Sequence, residues 1–170
     1  MLNGNKRKNI KEKARKTLET IKYNTEMRSK PNIVGMANCF GFAVSESTKL
    51  DDRILGSLYV SEGGKKKLIT INRNYPYYNK RETIAYLLAF YFLKYKEGIE
   101  IKINKSLATI DEEVEYLADS LLMPYDGFRT NFLSAERIYG ENKDVFLRDK
   151  YCVTLSSIWR RIEDIKGGKR

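Results

Sequence analysis

The 170-residue sequence contains no histidine, and this absence removes several kinds of catalytic site. Without an imidazole, no side chain is available to activate serine or cysteine in the usual catalytic triads, or to hold zinc through a pair of histidines. Glycine-rich phosphate loops are also missing, because the Gly-Gly pairs at 63–64 and 167–168 have the character of a turn and a tail. A Ser–Lys dyad stays open, although no particular pair is indicated.

Cysteine and long apolar runs are equally scarce. Cys39 and Cys152 lie far apart in the chain, and we expect them to be reduced thiols of a cytosolic protein. The longest apolar run extends over ten residues, from Ile84 to Leu93, whereas a membrane-spanning helix needs about 20. The N-terminal residues lack the apolar segment of a secretory signal. We therefore expect a cytoplasmic protein that does not contact the membrane.

Charged residues are abundant and unevenly distributed along the chain, and the formal net charge is +10. The first 30 residues contain ten Lys or Arg and three Glu, whereas residues 111–119, DEEVEYLAD, contain five acids and no base. A basic surface can bind nucleic acid by releasing counterions, but a solvated surface has the same composition. The acidic cluster fits the N-terminal end of a helix, where carboxylates favour the dipole, better than a Mg²⁺ or Ca²⁺ site.

Periodicity in the first half predicts two helices and a small sheet. Apolar residues recur at helical spacing through the basic N-terminal segment 1–30, and Pro31 opens a second helix that ends near Gly41. Stretches of β type follow at 42–47, 53–61 and 66–73, of which the last two are joined by the turn SEGG. The pattern predicts an antiparallel sheet of about three strands.

The second half is predicted to be helical. Asn79 and Glu82 have the spacing of a capping box for a buried helix that ends near Lys96, and Thr109 with Glu112 opens another that ends before Pro124. Further helices are predicted at 125–137, 142–150 and 155–165, with Thr154 capping the last. The chain is thus predicted to be one α+β domain with a helical C-terminal part, 125–170.

These elements, in this order, resemble the ImmA/IrrE family of metallopeptidase-like proteins, known from phages, mobile genetic elements and bacterial stress regulation. The resemblance covers most of the chain and is carried by the motifs GFAV, ILGSLYV, LITIN, RETIA, EEVEYLADSLLMP and KYCVTLSSIWRRI. It implies a zincin-like fold for a single domain over residues 1–170, with 31–124 as a degenerate peptidase core.

The resemblance also locates the positions where a zinc site would be. In active members, a motif like RETIA is followed directly by His-Glu-x-x-His, whose two imidazoles share one helical face. Tyr86 and Phe90 stand at the positions of the histidines and Leu87 at that of the general base. The third ligand is an acid before LLMP, matched best by Glu113, or by Glu112 or Asp111 in a shifted register. We predict no catalytic residue and no bound zinc.

Two functions remain open for a peptidase scaffold without zinc. The first, implied by the resemblance, is a catalytically inactive pseudopeptidase that regulates a phage or mobile-element switch by binding a protein partner such as a helix-turn-helix repressor. The alternative is DNA binding through the basic N-terminal helix and a helix-turn-helix-like C-terminal segment. There, the predicted contacts are Lys150, Arg160 and Arg161, with Thr154, Ser156 and Ser157 also facing outward, whereas the apolar residues dock the helix: Leu155, Ile158, Trp159 and Ile162.

Overall fold

The computed structural model describes residues 2–24, 29–105 and 111–167, which form an α+β fold and confirm the predicted class. The helices are α1 (Gly4–Thr20), α2 (Ile33–Cys39), α3 (Tyr77–Lys94), α4 (Glu112–Leu122), α5 (Tyr125–Tyr139), α6 (Lys143–Tyr151) and α7 (Leu155–Gly167). The strands are β1 (Phe42–Ser47), β2 (Ile54–Val60), β3 (Lys67–Asn72) and β4 (Ile101–Asn104).

The sheet has four strands in the order β1-β3-β2-β4, one more than predicted. Strand β2 pairs antiparallel with both β3 and β4, as expected for the SEGG hairpin, but β1 runs parallel to β3. Only alternate side chains of β4 face the core, and Ile103 is buried while Lys102 is exposed. The prediction of an all-antiparallel sheet was wrong because strand direction depends on long-range pairing, which a local pattern does not encode.

Helix α3 is the buried centre of the molecule. Every residue from Arg81 to Ala89 is buried, so the helix has no solvated face over this stretch. Its close approach to the sheet requires Gly56 on β2. A Cβ atom at Gly56 would lie 2.9 Å from the side chains of Ile71 and Thr83 and from the carbonyl oxygen of Thr70. The missing side chain therefore lets α3 pack directly on the strands.

Two of the predicted helix starts differ from the structure. Helix α3 begins at Tyr77, with Pro76 as the residue before it, rather than at Asn79. Glu82 therefore caps nothing in its own helix and turns toward α7 instead. Helix α4 is capped by Asp111, whose carboxylate accepts the N–H of Glu113 at 2.9 Å. The predicted cap Thr109 lies outside the described residues.

The three C-terminal helices are confirmed to within a few residues of their predicted bounds. Cys152, in the left-handed region with φ of 51°, joins α6 to α7. Thr154 Oγ1 accepts the N–H of Ser157 at 3.4 Å, as expected of the residue before a helix. Among the described residues, no helix is both long and apolar enough to cross a membrane.

Candidate functional site

A group of polar side chains meets where α3, α4 and α7 cross, in the otherwise apolar core. We call it the Arg160 cluster, and it consists of Tyr86, Glu115, Asp119, Ser157 and Arg160. Arg160 donates from Nε and Nη2 to the two carboxylate oxygens of Asp119, at 2.8 and 3.1 Å. The same Nη2 lies 3.0 Å from the Tyr86 hydroxyl and 2.8 Å from Ser157 Oγ. The guanidinium thus links the three helices.

A second carboxylate completes the surroundings of this guanidinium. Arg160 Nη1 lies 3.2 Å from Glu115 Oε1, so one cation faces two acids from α4. Burial raises the pKa of Asp119 above its ordinary value, and Arg160 opposes that shift. The pKa of Glu115 is raised for the same reason and opposed by the same neighbour. Burial raises the pKa of the Tyr86 phenol as well, which keeps its proton on the oxygen at neutral pH.

Glu82 extends the hydrogen-bond network from α3 into α7. Its Oε1 accepts the N–H of Thr154 at 2.6 Å and the hydroxyl of Ser157 at 2.8 Å. The side chain is 2% exposed, and burial raises the pKa of Glu82. Through Ser157 the network continues to Arg160. Because nearly every polar atom here has a partner inside the protein, the arrangement holds α7 in one orientation on the core.

The predicted zinc positions are distributed over different surroundings. Tyr86 belongs to the cluster, whereas Leu87 is fully buried in the apolar core and Phe90 is half-buried beside it. Glu113 lies at the start of α4, where its Oε1 accepts a bond from Lys6 Nζ of α1 at 2.6 Å. Glu113 is thus paired with Lys6, and the carboxylate that pairs with Arg160 beside Tyr86 is that of Asp119.

This set of donors does not fit zinc. A zinc site needs three or four converging nitrogen, sulfur or oxygen ligands, and Leu87 and Phe90 supply none. Both oxygens of Asp119 are bound to Arg160, whose guanidinium is a permanent positive charge. Across residues 2–24, 29–105 and 111–167, no three Cys, Asp or Glu side chains are grouped in a way that would hold a metal ion.

The residues proposed for DNA binding do not form an exposed basic surface. Arg161 is 2% exposed, with Nε donating to the carbonyl oxygen of Met123 at 2.9 Å and Nη1 lying 3.1 Å from Asp164. Ser157 is fully buried as well, so the prediction that both face outward was wrong. The docking prediction was wrong for Trp159, which is 52% exposed.

These differences from the prediction come from the rotation of α7 about its own axis. The rotation turns a polar edge of the helix, with Ser157 and Arg161, toward the core and the Trp159 indole toward solvent. Arg160 is partly exposed but is paired with Asp119 and Glu115. Lys150 is half-buried, with its ammonium 5.8 Å from the centre of the Phe146 ring.

The cluster is open to solvent on one side. A cavity of about 630 Å³ lies among α1, α4 and α7, with Glu115, Asp119 and Arg160 in its wall. Arg7 and Asp164 line the same cavity and are 3.8 Å apart. Its lining therefore mixes both signs of charge. A small ion or molecule in solution can reach the Arg160 cluster without unfolding of the domain.

Sequence reasoning missed the two central members of the cluster, Asp119 and Arg160, as partners. One signal was present, because Asp119 interrupts an apolar stretch, LADSLL, that is otherwise suited to the core. A carboxylate in such a position needs a buried partner. The identity of that partner, 41 residues further along the chain, could not be read from the pattern.

Comparison with known proteins agrees with this architecture. The model of the Peptidase_M78 family, described as the IrrE N-terminal-like domain, matches residues 37–163. No curated protein matches the chain. Among solved structures, the chain is similar to a Mycobacterium tuberculosis transcriptional regulator with a TM-score of 0.58 and 14% identity, over 91% of this chain and 47% of that one. At this identity the likeness shows the fold alone, and the chain spans about half of that protein's length.

Proposed function

Because the chain belongs to the family of the IrrE N-terminal-like domain, we propose that it is a catalytically inactive member that regulates by binding. Its proposed partner is a helix-turn-helix repressor of a phage or mobile genetic element, which it holds without cleaving. The observation that carries the proposal is Arg160, whose guanidinium binds Asp119 and Tyr86 beside the first position of the degenerate motif.

The chemistry of the cluster supports the loss of peptidase activity. Hydrolysis by this scaffold would need a metal ion and a base to activate water, and Leu87 replaces the base with hydrocarbon. Tyr86 cannot act in its place near neutral pH, because burial raises the pKa of its phenol further above the ordinary value. A second cation near Arg160 would also meet its fixed positive charge at short range.

The intact core supports a function in which the folded domain binds a partner. The cluster keeps α3, α4 and α7 together by partly buried hydrogen bonds, so the scaffold retains a defined surface without a metal. Such a protein would act on a repressor through different affinities for the repressor's DNA-bound and free states, with no bond broken.

Metal analysis tests the inactive state. We expect the purified protein to contain far less than one zinc per chain, and stoichiometric zinc that a chelator removes would overturn this part of the proposal. The variant Tyr86→His/Leu87→Glu/Phe90→His restores the motif. We expect it to bind zinc more tightly once Arg160→Met is added, because the guanidinium next to position 86 is then gone. Equal affinities would mean that Arg160 does not oppose the metal.

A repressor–operator titration tests the proposed partner. Repressors encoded beside the gene would be bound to fluorescent operator DNA, and anisotropy followed as the protein is added. We expect the repressor's apparent affinity for DNA to change while mass spectrometry finds it intact. Cleaved repressor would contradict the inactive state, and unchanged affinity for each repressor would contradict the partner class.

A further inference from the structure

The thiol of Cys152 lies among positive charges on the side of the domain formed by α3 and the α6–α7 turn. Lys30 Nζ is 2.8 Å from Cys152 Sγ, and Sγ donates to the carbonyl oxygen of Asp149 at 3.3 Å. The cysteine is half-buried. Lys30 also lies 5.5 Å from the centre of the Tyr77 ring, so its ammonium is placed between an aromatic face and the sulfur.

Arg81 is a second and independent feature of this site. It is 3% exposed, and its Nε donates to the carbonyl oxygen of Tyr151, the residue before the cysteine, at 3.1 Å. Its Nη2 is buried without a hydrogen-bond partner among the described residues. The neighbours with which its charge interacts are Tyr77, Cys152 and Tyr23, and burial lowers the pKa of Arg81.

A guanidinium buried without a carboxylate is unfavourable, because its lost hydration is not replaced by an opposite charge. None of the ion pairs formed by the described residues includes Arg81, whereas Arg160 and Arg161 each pair with an aspartate. Among the neighbours of Arg81, the sulfur is the one that an oxidant readily converts to a polar, oxygen-bearing group.

We propose that Cys152 is a peroxide-sensitive modification site at which Lys30 and Arg81 place positive charge beside the reacting sulfur and its oxidised product. In the reaction, Sγ attacks one oxygen of hydrogen peroxide, the O–O bond breaks, and the departing hydroxide takes the thiol proton to leave as water. The sulfur is oxidised to sulfenic acid and the peroxide is reduced. Nη2 of Arg81 has no hydrogen-bond partner among the described residues, and in this proposal it is the donor to the added oxygen.

The position links this chemistry to the Arg160 cluster. Cys152 is the residue in the left-handed conformation between α6 and α7. Two residues further on, the backbone N–H of Thr154 donates a hydrogen bond to Glu82 Oε1. If a small-molecule thiol then attacks the sulfenic acid sulfur and water leaves, the mixed disulfide adds bulk to this short turn. Modification at Cys152 therefore acts on the segment that sets the orientation of α7.

The chain supplies its own control in Cys39, which is exposed on α2. Alkylation of the folded protein by iodoacetamide would be followed for each cysteine by peptide mass spectrometry. We expect Cys152 to react about tenfold faster than Cys39, although it is less exposed, because positive charge beside a cysteine promotes attack by its sulfur. In concentrated urea, the two rates should become equal. A slower reaction of Cys152 in the folded protein, as exposure alone predicts, would overturn the proposal.

Peroxide followed by dimedone, which traps sulfenic acid, tests the oxidation itself. We expect the adduct on Cys152 and not on Cys39. The Lys30→Met variant, altered at an exposed side chain, should lower both rates at Cys152 several-fold. Lys66→Met removes an exposed charge elsewhere and should change neither rate. Labelling confined to Cys39, or equal Cys152 rates in wild type and Lys30→Met, would contradict the proposal.

Discussion

Replacing Arg160 by methionine is the most direct test of how the cluster stabilises the fold. The change keeps much of the aliphatic stem but removes the guanidinium, so Asp119, which is 4% exposed, is left without its cation. Removing one partner of a buried ion pair destabilises proteins by about 3–5 kcal/mol. Because the Arg160 side chain is 31% exposed and water reaches it, we expect the lower end, a loss of about 3 kcal/mol in the free energy of unfolding.

The size of this loss should depend on pH. Burial raises the pKa of Asp119 and of Glu115, and Arg160 lowers both, so its removal raises them further. A carboxyl whose pKa is higher in the folded state binds protons more tightly there than in the unfolded chain. Its contribution to stability is therefore complete below its ordinary pKa and is lost as pH rises through the raised value. We expect Arg160→Met to be less destabilising at pH 5 than at pH 7.

Urea unfolding followed by far-ultraviolet circular dichroism measures both effects. Arg15→Met is the matched control, because Arg15 pairs with Glu12 and Glu19 on the solvated face of α1. Its midpoint should be unchanged within error. Adding Asp119→Asn to Arg160→Met should recover part of the loss, since no unpaired charge then remains. A midpoint for Arg160→Met equal to that of wild type, or a loss independent of pH, would refute the reasoning.

Three further predictions concern the packing, the α3–α7 contact and the basic surface. Gly56→Ala should lower the free energy of unfolding by about 1–3 kcal/mol through overpacking against β3 and α3, whereas Gly4→Ala, with no atom within 4 Å of the new Cβ, should not. In chemical unfolding, Glu82→Leu should lose about 2 kcal/mol by leaving the Thr154 N–H unpaired, and Glu82→Gln should lose less because one oxygen accepts both bonds. Duplex DNA titrated at physiological salt should show flat anisotropy, and micromolar, salt-sensitive binding would restore the nucleic-acid alternative.

The order and type of most elements followed from local features of the chain. Apolar residues at helical spacing located α1 and α7, and Pro124 separates α4 from α5 as expected. Helix α2 ends just before Gly41, as predicted, and this glycine has the positive φ of 83° that is common after a helix. These features act between residues a few positions apart, which is why the pattern reveals them.

The buried polar contacts could not be obtained in the same way. Periodicity gives the apolar stripe of α7 but not its rotation on the core, and that rotation decides that Arg161 is buried while Trp159 is exposed. The parallel pairing of β1 with β3 likewise depends on the path of the chain between them.

By itself, the sequence determined that this protein has an α+β domain of the IrrE type, and it predicts Tyr86 and Phe90 at the positions of the zinc-binding histidines and Leu87 at that of the general base. Only the tertiary structure decided that Arg160, from another helix, binds Asp119 and Tyr86 in the core. The physical reason is that helix formation is governed by neighbours along the chain. The partner of a buried charge, in contrast, is set by which distant side chain the packing of the helices brings within hydrogen-bond distance.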